Sequence, residues 1–259
     1  MNTEKLVIST VPIVLAAVTL GGCYKPVSVP VIVDLPRVAA KPAVRRYIAG
    51  KSVENRSIEC IILGTGEDVT LILATIHGNE QAGTPLVLHL ETYLQNQAYL
   101  LNGRKVVLLP LANPDGAAKN RRFNANSVDL NRNFATANRR NSRRFGRAAL
   151  SEPEARVIRR LIEIYAPDRI VSIHQPLSCI DYDGPGIALA RRMAEHCDLP
   201  IKKLGARPGS LGSYAGLTLG IPIITLELPR SADALDEQSL WDKYGAALVA
   251  AVAYPEMAK

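Results

Sequence analysis

The sequence has few of the residues that usually bind metals. Among its 259 residues are only four histidines and four cysteines. No two cysteines have the C-x-x-C spacing that structural zinc sites use, which excludes a cysteine-rich zinc site. Two of the histidines, His89 and His196, fall within helical patterns, and we interpret them as packing or surface residues. A metal site in this chain would therefore depend on His77, His174 and carboxylates.

The amino terminus lacks an apolar run long enough to cross a membrane. Residues 6–20 are mostly apolar, whereas a transmembrane helix needs about 20 such residues. With Lys5 before this run and small residues after it, the pattern predicts a signal peptide over residues 1–22. The ending LGGC (20–23) resembles a bacterial lipoprotein signal, which implies lipidation of Cys23; an ordinary signal peptide with an incidental cysteine is the alternative. We expect a periplasm-facing protein that is lipid-anchored to a bacterial membrane, with the outer membrane slightly favoured.

The rest of the chain divides into a short tether and one domain. Residues 23–46 contain several prolines among valines, which predicts an extended tether with a candidate edge strand, because proline disfavours helices and central strands. Residues 47–259 remain. They number about 210, enough for one domain with a full core but not for two.

Apolar runs and helical patterns alternate along this domain. Strands are predicted near residues 58–64, 69–76, 105–112, 168–174 and 221–228, and helices near 81–99, 151–165, 185–197 and 234–252. This alternation predicts an α/β fold in which a mixed, mostly parallel sheet has helices on both faces.

Metal-binding and acidic residues stand at the ends of three of these strands. His77 follows the run 69–76, His174 follows 170–173, and Glu227 lies in the run 221–228. Ligands bind beyond the carboxyl ends of strands in α/β sheets, and Glu80, which opens the next helical pattern, could join the two histidines. Two histidines and a glutamate are a donor set of catalytic zinc sites. A carboxylate such as Glu227 is costly to bury unless it is paired or near a cation, so a structural salt bridge is its alternative role.

Six stretches carry a resemblance to a known family. They are HGNEQAG (77–83), NPDG (113–116), RFNANSVDLNRNF (122–134), ALSEPE (149–154), SIHQPL (172–177) and GSLGSYAGLTLGIPIITLELPR (209–230). Together, and in this order, they resemble the zinc metallocarboxypeptidase family, in particular its bacterial cell-wall branch, the murein peptide amidase A group. The resemblance spans about 150 residues and implies a zinc carboxypeptidase-like fold.

The resemblance also implies roles for individual residues of this sequence. His77, Glu80 and His174 would bind one Zn²⁺, with Asp129 orienting His77. Glu227 would be the general base and later the general acid, and Arg122 would polarise the scissile carbonyl and stabilise the developing oxyanion. The expected substrate-binding residues are Asn131, Arg132 and Leu211. The first two of these would hold a terminal carboxylate of the substrate, for which a guanidinium is well suited.

Two departures from the family pattern affect substrate binding. Digestive members carry a mobile tyrosine shortly before the stretch that corresponds to Gly209 and Ser210, and residues 201–208 of this chain contain none. Cell-wall members often have a further arginine where this chain has Asn126. Those two substrate contacts are therefore not expected in this chain.

The expected activity is zinc-dependent hydrolysis of amide bonds in murein peptides. The resemblance points to the bond between γ-D-glutamate and meso-diaminopimelate, in cell-wall recycling or remodelling. The alternatives are a murein carboxypeptidase that removes a terminal residue, an N-acyl amino acid deacylase of related fold, and a non-catalytic lipoprotein that binds peptidoglycan.

Two further features leave alternatives open. The net charge is +7, and arginines crowd one stretch at positions 139, 140, 143, 144 and 147. With few aromatic residues to stack on bases, nucleic acid is not an expected partner; a solvated loop or attraction to an acidic polymer such as peptidoglycan remains. Beyond Cys23, the residues Cys60, Cys179 and Cys197 allow one disulfide in an oxidising compartment, with Cys179 and Cys197 as the first pair to test.

Overall fold

Seven strands form one mixed sheet in residues 43–255, the part of the chain that the computed structural model describes. The strands are β1 (Val44–Lys51), β2 (Ser57–Leu63), β3 (Asp68–Ala74), β4 (Arg104–Leu109), β5 (Arg169–His174), β6 (Leu177–Asp183) and β7 (Ile223–Pro229). Their order across the sheet is β1-β2-β4-β3-β5-β7-β6. The four central strands, β4, β3, β5 and β7, are mutually parallel. The strands outside them pair in antiparallel fashion.

Helices cover both faces of this sheet. They are α1 (Gly83–Asn96), α2 (Pro114–Ala118), α3 (Pro153–Tyr165), α4 (Ile187–Ala194) and α5 (Glu237–Ala253). Buried side chains of α1, α4 and α5 pack in one cluster on one face of the strands. Those of α3 pack in a second cluster on the other face, together with Leu130, Phe134 and Tyr214. This is the α/β architecture with helices on both faces that the sequence predicts.

The five predicted strands are present, and two more occur. The edge strand β6 was not predicted, because acidic residues interrupt its apolar pattern. Strand β1 begins at Val44, three residues before the predicted start of the domain. Its Arg46 donates to both carboxylate oxygens of the buried Glu91 in α1, at 2.6 and 2.7 Å. The beginning of β1 is thus tied to the domain by an ion pair as well as by strand pairing.

Two other sequence predictions are corrected by the structure. Helix α1 begins at Gly83, so Glu80 does not open a helix; it lies in a turn in which its N–H donates to the carbonyl of His77 at 3.0 Å. Cys179 and Cys197 do not form a disulfide. Both are free thiols, as is Cys60. Cys60 and Cys179 are fully buried within strands, where they pack as small apolar side chains.

The predicted signal peptide, Cys23 and most of the predicted tether lie outside the described residues, so lipidation and anchoring stay predictions. Within residues 43–255, no helix combines the length and the apolar character needed to cross a membrane.

Candidate metal centre and active site

The parallel strands β3, β5 and β7 bring the candidate metal ligands to one edge of the sheet. β3 and β5 are direct neighbours, with Ala74 opposite Ile173. His174 is the last residue of β5, and His77 follows three residues after β3 ends. The next neighbour, β7, places Glu227 opposite His174. Residues far apart in sequence therefore meet because the carboxyl ends of parallel strands share one edge.

Three of these side chains point their donor atoms at one another. The Nδ1 atoms of His77 and His174 lie 3.2 Å apart. One carboxylate oxygen of Glu80 is 2.9 Å from His77 Nδ1, and the other is 2.9 Å from His174 Nδ1. The donor atoms of the three residues all lie within 4.8 Å of one another, and all three residues are buried. A set of two imidazole nitrogens and a carboxylate with a common focus fits a divalent cation, and its composition is that of a catalytic zinc site.

The electrostatics of the three residues fit a cation as well. Burial would raise the pKa of Glu80, but the two histidines outweigh burial and hold it well below its usual range. Burial would lower the pKa of His77, but its hydrogen bonds to Asp129 and Glu80 raise it. Glu80 is therefore an ionised carboxylate in a buried place, where it is stabilised by positive charge.

Asp129 holds the imidazole of His77 from behind. Its Oδ1 lies 3.0 Å from His77 Nε2, so this nitrogen carries the proton and Nδ1 is left to bind a metal. Arg122 donates to Asp129 Oδ2 from both Nε and Nη2 at 3.1 Å, and to Glu80 Oε1 from Nη1 at 3.1 Å. Burial would raise the pKa of Asp129, but the hydrogen bond from His77 and the charge of Arg122 keep it well below its usual range.

The NPDG stretch supports the His77 loop and does not line the cleft. Asn113 caps α2 by accepting from the Gly116 N–H at 2.9 Å, and its amide donates to the carbonyl of Ile76. Gly78 packs on this short helix so closely that a Cβ at Gly78 would lie 2.1 Å from the carbonyl carbon of Gly116. Glycine is therefore required directly after His77, because any side chain would push the loop away from α2.

The ALSEPE stretch supports the loop that carries Arg122, Asp129 and Asn131. The buried Glu152 accepts hydrogen bonds from the side-chain amides of Asn124 and Asn126 at 2.7 and 2.8 Å. Asn126, which stands where cell-wall members often have an arginine, thus holds this loop in place. It does not line the cleft.

Glu227 lies beside the candidate ligands but outside their set. Its side chain is buried in β7, and its Oε2 accepts a hydrogen bond from the Leu177 N–H at 3.3 Å. Burial raises the pKa of Glu227, although the charge of His174 opposes this. A carboxylate with a raised pKa that faces a metal site is suited to taking up and returning a proton.

These residues open into a cleft of about 510 Å³. Arginines gather on its wall: Arg122, Arg132 and Arg207 all line it. Burial lowers the pKa of Arg132; the negative charge of Asp129 opposes this, and the charges of Arg122 and Arg207 add to it. Arg122 is paired with Asp129 and Glu80, whereas no ion pair within residues 43–255 involves Arg132 or Arg207. These two guanidinium groups are therefore the ones suited to hold an anionic group of a ligand.

Asn131 and Leu211, both expected to contact substrate, have different surroundings. Asn131 lines the cleft, and its Oδ1 accepts from the Leu211 N–H at 2.8 Å. The side chain of Leu211 is 1% exposed and packs in the hydrophobic core of the α3 face. Leu211 therefore orients Asn131 through its backbone, and its side chain does not line the cleft.

Three charged residues of the cleft were missed by sequence reasoning. Arg207 lies in the very stretch that lacks the tyrosine, and Asp181 and Asp183 lie in β6. The signal in the sequence was the D-x-D spacing, since two acids at alternate positions of a strand share one face. This spacing alone does not place the two acids in the cleft, because that depends on the pairing of β6 with β7.

The fold and these donors define a class of protein. A mixed sheet that presents two histidines and a glutamate at the carboxyl ends of its parallel strands, with a further glutamate beside them, is the arrangement of a zinc-dependent metallopeptidase.

Comparisons with known proteins give the family. A family model of zinc carboxypeptidases matches residues 36–181. Murein peptide amidase A of Escherichia coli (strain K12) is 36% identical over 190 residues, which cover 66% of this chain and 76% of that protein. Murein peptide amidase A of Vibrio campbellii (strain ATCC BAA-1116) is 33% identical over 189 residues, covering 66% of this chain and 73% of that protein.

A solved structure shares the fold. The crystal structure of murein-tripeptide amidase from Escherichia coli O157 matches 86% of this chain and 98% of that chain, with a TM-score of 0.62 and 27% identity. The chain belongs to the zinc carboxypeptidase family. It is accordingly a zinc metallopeptidase, and His77, Glu80 and His174 are the residues that could hold the zinc ion.

Purified protein should contain about one zinc per chain, as a tetrahedral site with three protein ligands requires. The His77→Ala and His174→Ala variants should each lose most of this zinc, because two ligands do not complete the site. His89→Ala is a matched control: His89 stacks on Trp241 with ring centroids 4.4 Å apart and should not affect zinc content. Elemental analysis measures this, and full zinc occupancy in His77→Ala would contradict the assignment.

Proposed function

We propose that this peptidase hydrolyses amide bonds in murein peptides, and that the bond is the one between γ-D-glutamate and meso-diaminopimelate. The observation that carries the proposal is the 36% identity to murein peptide amidase A over 190 residues. The matched region reaches across most of that protein. The cleft of this chain is lined by the expected polar residues His77, Glu80, Arg122, Asn131, Arg132, His174 and Glu227. A role in cell-wall recycling or remodelling follows from this substrate.

The charges of the cleft support a substrate of this class. Murein peptides carry free carboxylates, and Arg132 and Arg207 line the cleft beside the candidate metal ligands. Arg132 is oriented by a hydrogen bond from its Nη1 to the carbonyl of Asn131 at 2.5 Å. A guanidinium can hold a carboxylate through two parallel hydrogen bonds. We infer that Asn131 and Arg132 hold the free carboxylate of the leaving residue.

The reaction consumes one water and yields a carboxylate and an amine. Zinc bound by His77, Glu80 and His174 supplies the Lewis acid of the reaction. Glu227 takes the proton from the attacking water and then delivers it to the nitrogen of the leaving amine. Its hydrogen bond from the Leu177 N–H fixes the carboxylate for both steps.

Arg122 stabilises the negative charge that develops on the carbonyl oxygen. Its side chain is 37% exposed, and its contacts with Asp129 and Glu80 orient it toward the cleft. These contacts engage three N–H groups of the guanidinium. A guanidinium has five such donors, so two remain for the substrate oxygen. This preorganised charge costs no rearrangement during the reaction.

Mass spectrometry of defined muropeptides tests the bond that is cleaved. The tripeptide L-Ala-γ-D-Glu-meso-diaminopimelate should yield L-Ala-D-Glu and free diaminopimelate. In the corresponding tetrapeptide the diaminopimelate carboxylate assigned to Arg132 is joined to D-alanine, so cleavage at the same bond should be about 10- to 100-fold slower. A carboxypeptidase would instead release the terminal D-alanine of the tetrapeptide. Loss of D-alanine without formation of L-Ala-D-Glu would overturn the proposed bond.

Glu227→Gln should keep zinc and substrate affinity but lose turnover by about 10² or more, the usual scale for a general base. The change preserves size and the ability to accept a hydrogen bond from Leu177, so the strand should be undisturbed. Zinc content, substrate binding and kcat are the measurements. Near-normal kcat would mean that Glu227 is structural and that another group takes the proton.

A double comparison tests the carboxylate contact of Arg132. Arg132→Ala and amidation of the α-carboxylate of the leaving residue should each reduce kcat/KM by about 10- to 100-fold, the scale of a charge-assisted hydrogen bond. If the two groups touch, combining both changes should cost little more than either one alone. If the combined reduction of kcat/KM equals the product of the two single reductions, Arg132 and this carboxylate act independently.

A further inference from the structure

Two acids of β6 continue the cleft beyond the candidate metal centre. Asp181 and Asp183 are two residues apart on this strand, so their side chains share one face. Both line the cleft, and each is only 5% exposed. The mechanism above uses neither of them.

The carboxylate of Asp183 has no partner within the described residues. Asp181 accepts a hydrogen bond from the Leu204 N–H at 2.8 Å, whereas no hydrogen bond or ion pair reaches the side chain of Asp183 in residues 43–255. Lys203 is the cation whose charge acts on Asp183, but its ammonium lies over the ring of Tyr182, 4.5 Å from the centroid. Burial, with the neighbouring charge of Asp181, raises the pKa of Asp183 to about 6.

Glycines make room for this carboxylate. A Cβ at Gly212 would lie 2.1 Å from Asp183 Oδ2, and one at Gly216 would lie 2.7 Å from Asp183 Cβ. The segment that contains Gly212 also lines the cleft. The small exposed part of Asp183 lies at the cleft, where its carboxylate can meet a ligand. A carboxylate that is packed against glycines at the wall of a cleft, with no hydrogen bond or ion pair within the described residues, indicates a cationic ligand.

The strand register gives the position of the two acids relative to the chemistry. Cys179 is opposite Glu227, Asp181 is opposite Thr225, and Asp183 is opposite Ile223. The acids therefore lie about 7 and about 13 Å along the strand from the level of Glu227, at about 3.3 Å per residue. Asp181 is the nearer of the two acids to Glu227, and Asp183 continues the same face of the strand beyond it.

We propose that Asp183, with Asp181 beside it, binds the side-chain ammonium group of the residue on the leaving side of the scissile amide. The inference rests on the proposed function in that it assumes a leaving residue held by Asn131 and Arg132. Diaminopimelate has such a distal amine, and lysine is the simplest residue that shares this chemistry. Asp183 is then a specificity-determining residue, because a leaving residue without the amine leaves this carboxylate unpaired.

The test compares two peptides, L-Ala-γ-D-Glu-L-Lys and L-Ala-γ-D-Glu-L-norleucine, which differ in the terminal amine of the last side chain. The zinc-loaded wild type should prefer the lysine peptide by about 10- to 100-fold in kcat/KM, the scale of a hydrogen bond to a charged group. Asp183→Asn should remove most of this preference by lowering kcat/KM for the lysine peptide. Its norleucine activity should stay within about threefold of the wild type, since that peptide has no ammonium to lose.

Controls separate recognition from a structural role. Asp183→Asn keeps the shape of the side chain and removes an unpaired buried charge, so it should fold as stably as the wild type. Asp242→Asn alters an exposed acid of α5 and should leave both peptides unaffected. Equilibrium binding of both peptides to zinc-loaded Glu227→Gln should show the same preference for lysine.

Each outcome decides one point. Equal binding and turnover of the two peptides by the wild type, or an equal loss for both in Asp183→Asn, would overturn the role of Asp183. Cleavage of the murein tripeptide together with such a result would leave the proposed function intact. A preference for lysine that depends on Asp183, without cleavage of the murein tripeptide, would instead overturn the proposed substrate and retain the inference.

Discussion

The site depends on the carboxylate of Asp129. One of its oxygens accepts from His77 Nε2 and from the Asn131 N–H, and the other accepts twice from Arg122. This single buried acid therefore orients a candidate metal ligand, a candidate oxyanion donor and the backbone of a candidate substrate-binding residue. Hydrogen bonds of this kind fix the orientation of metal ligands and catalytic side chains, and they determine which nitrogen of a histidine carries the proton.

Much of the distinctive sequence serves to hold this arrangement and does not touch the cleft. Asn113 and Gly116 form the short helix on which Gly78 packs. Glu152 and Asn124 brace the loop that carries Arg122 and Asp129. The catalytic geometry thus depends on loops whose polar groups are satisfied by one another, because a buried loop with unpaired polar groups would be unstable.

The cleft carries charges of both signs. Arg122, Arg132 and Arg207 line it together with Asp181 and Asp183, and the charge of Arg207 acts on Asp181. Such a cleft favours a ligand that itself carries charges of both signs. An apolar terminal residue would satisfy only the arginines, so the two acids add a requirement that the arginines alone do not impose.

The sequence by itself determined the fold class, the main helices and strands, and the placement of His77, His174 and Glu227 at strand ends. Each of these follows from local apolar runs and the residue that ends them, and parallel strands then bring the ends together. Glu80 was correctly expected near the two histidines, although as part of a helix instead of the turn it occupies.

Only the tertiary structure decided the rest. The pairing of β6 with β7 placed Asp181 and Asp183 in the cleft, and the packing of Leu211 turned its side chain into the core. Cys179 and Cys197 are free thiols and not the disulfide that the sequence allowed. Asp129 meets His77 across 52 residues of sequence. These outcomes depend on which surfaces pack together, and that is a property of the whole chain which no local pattern encodes.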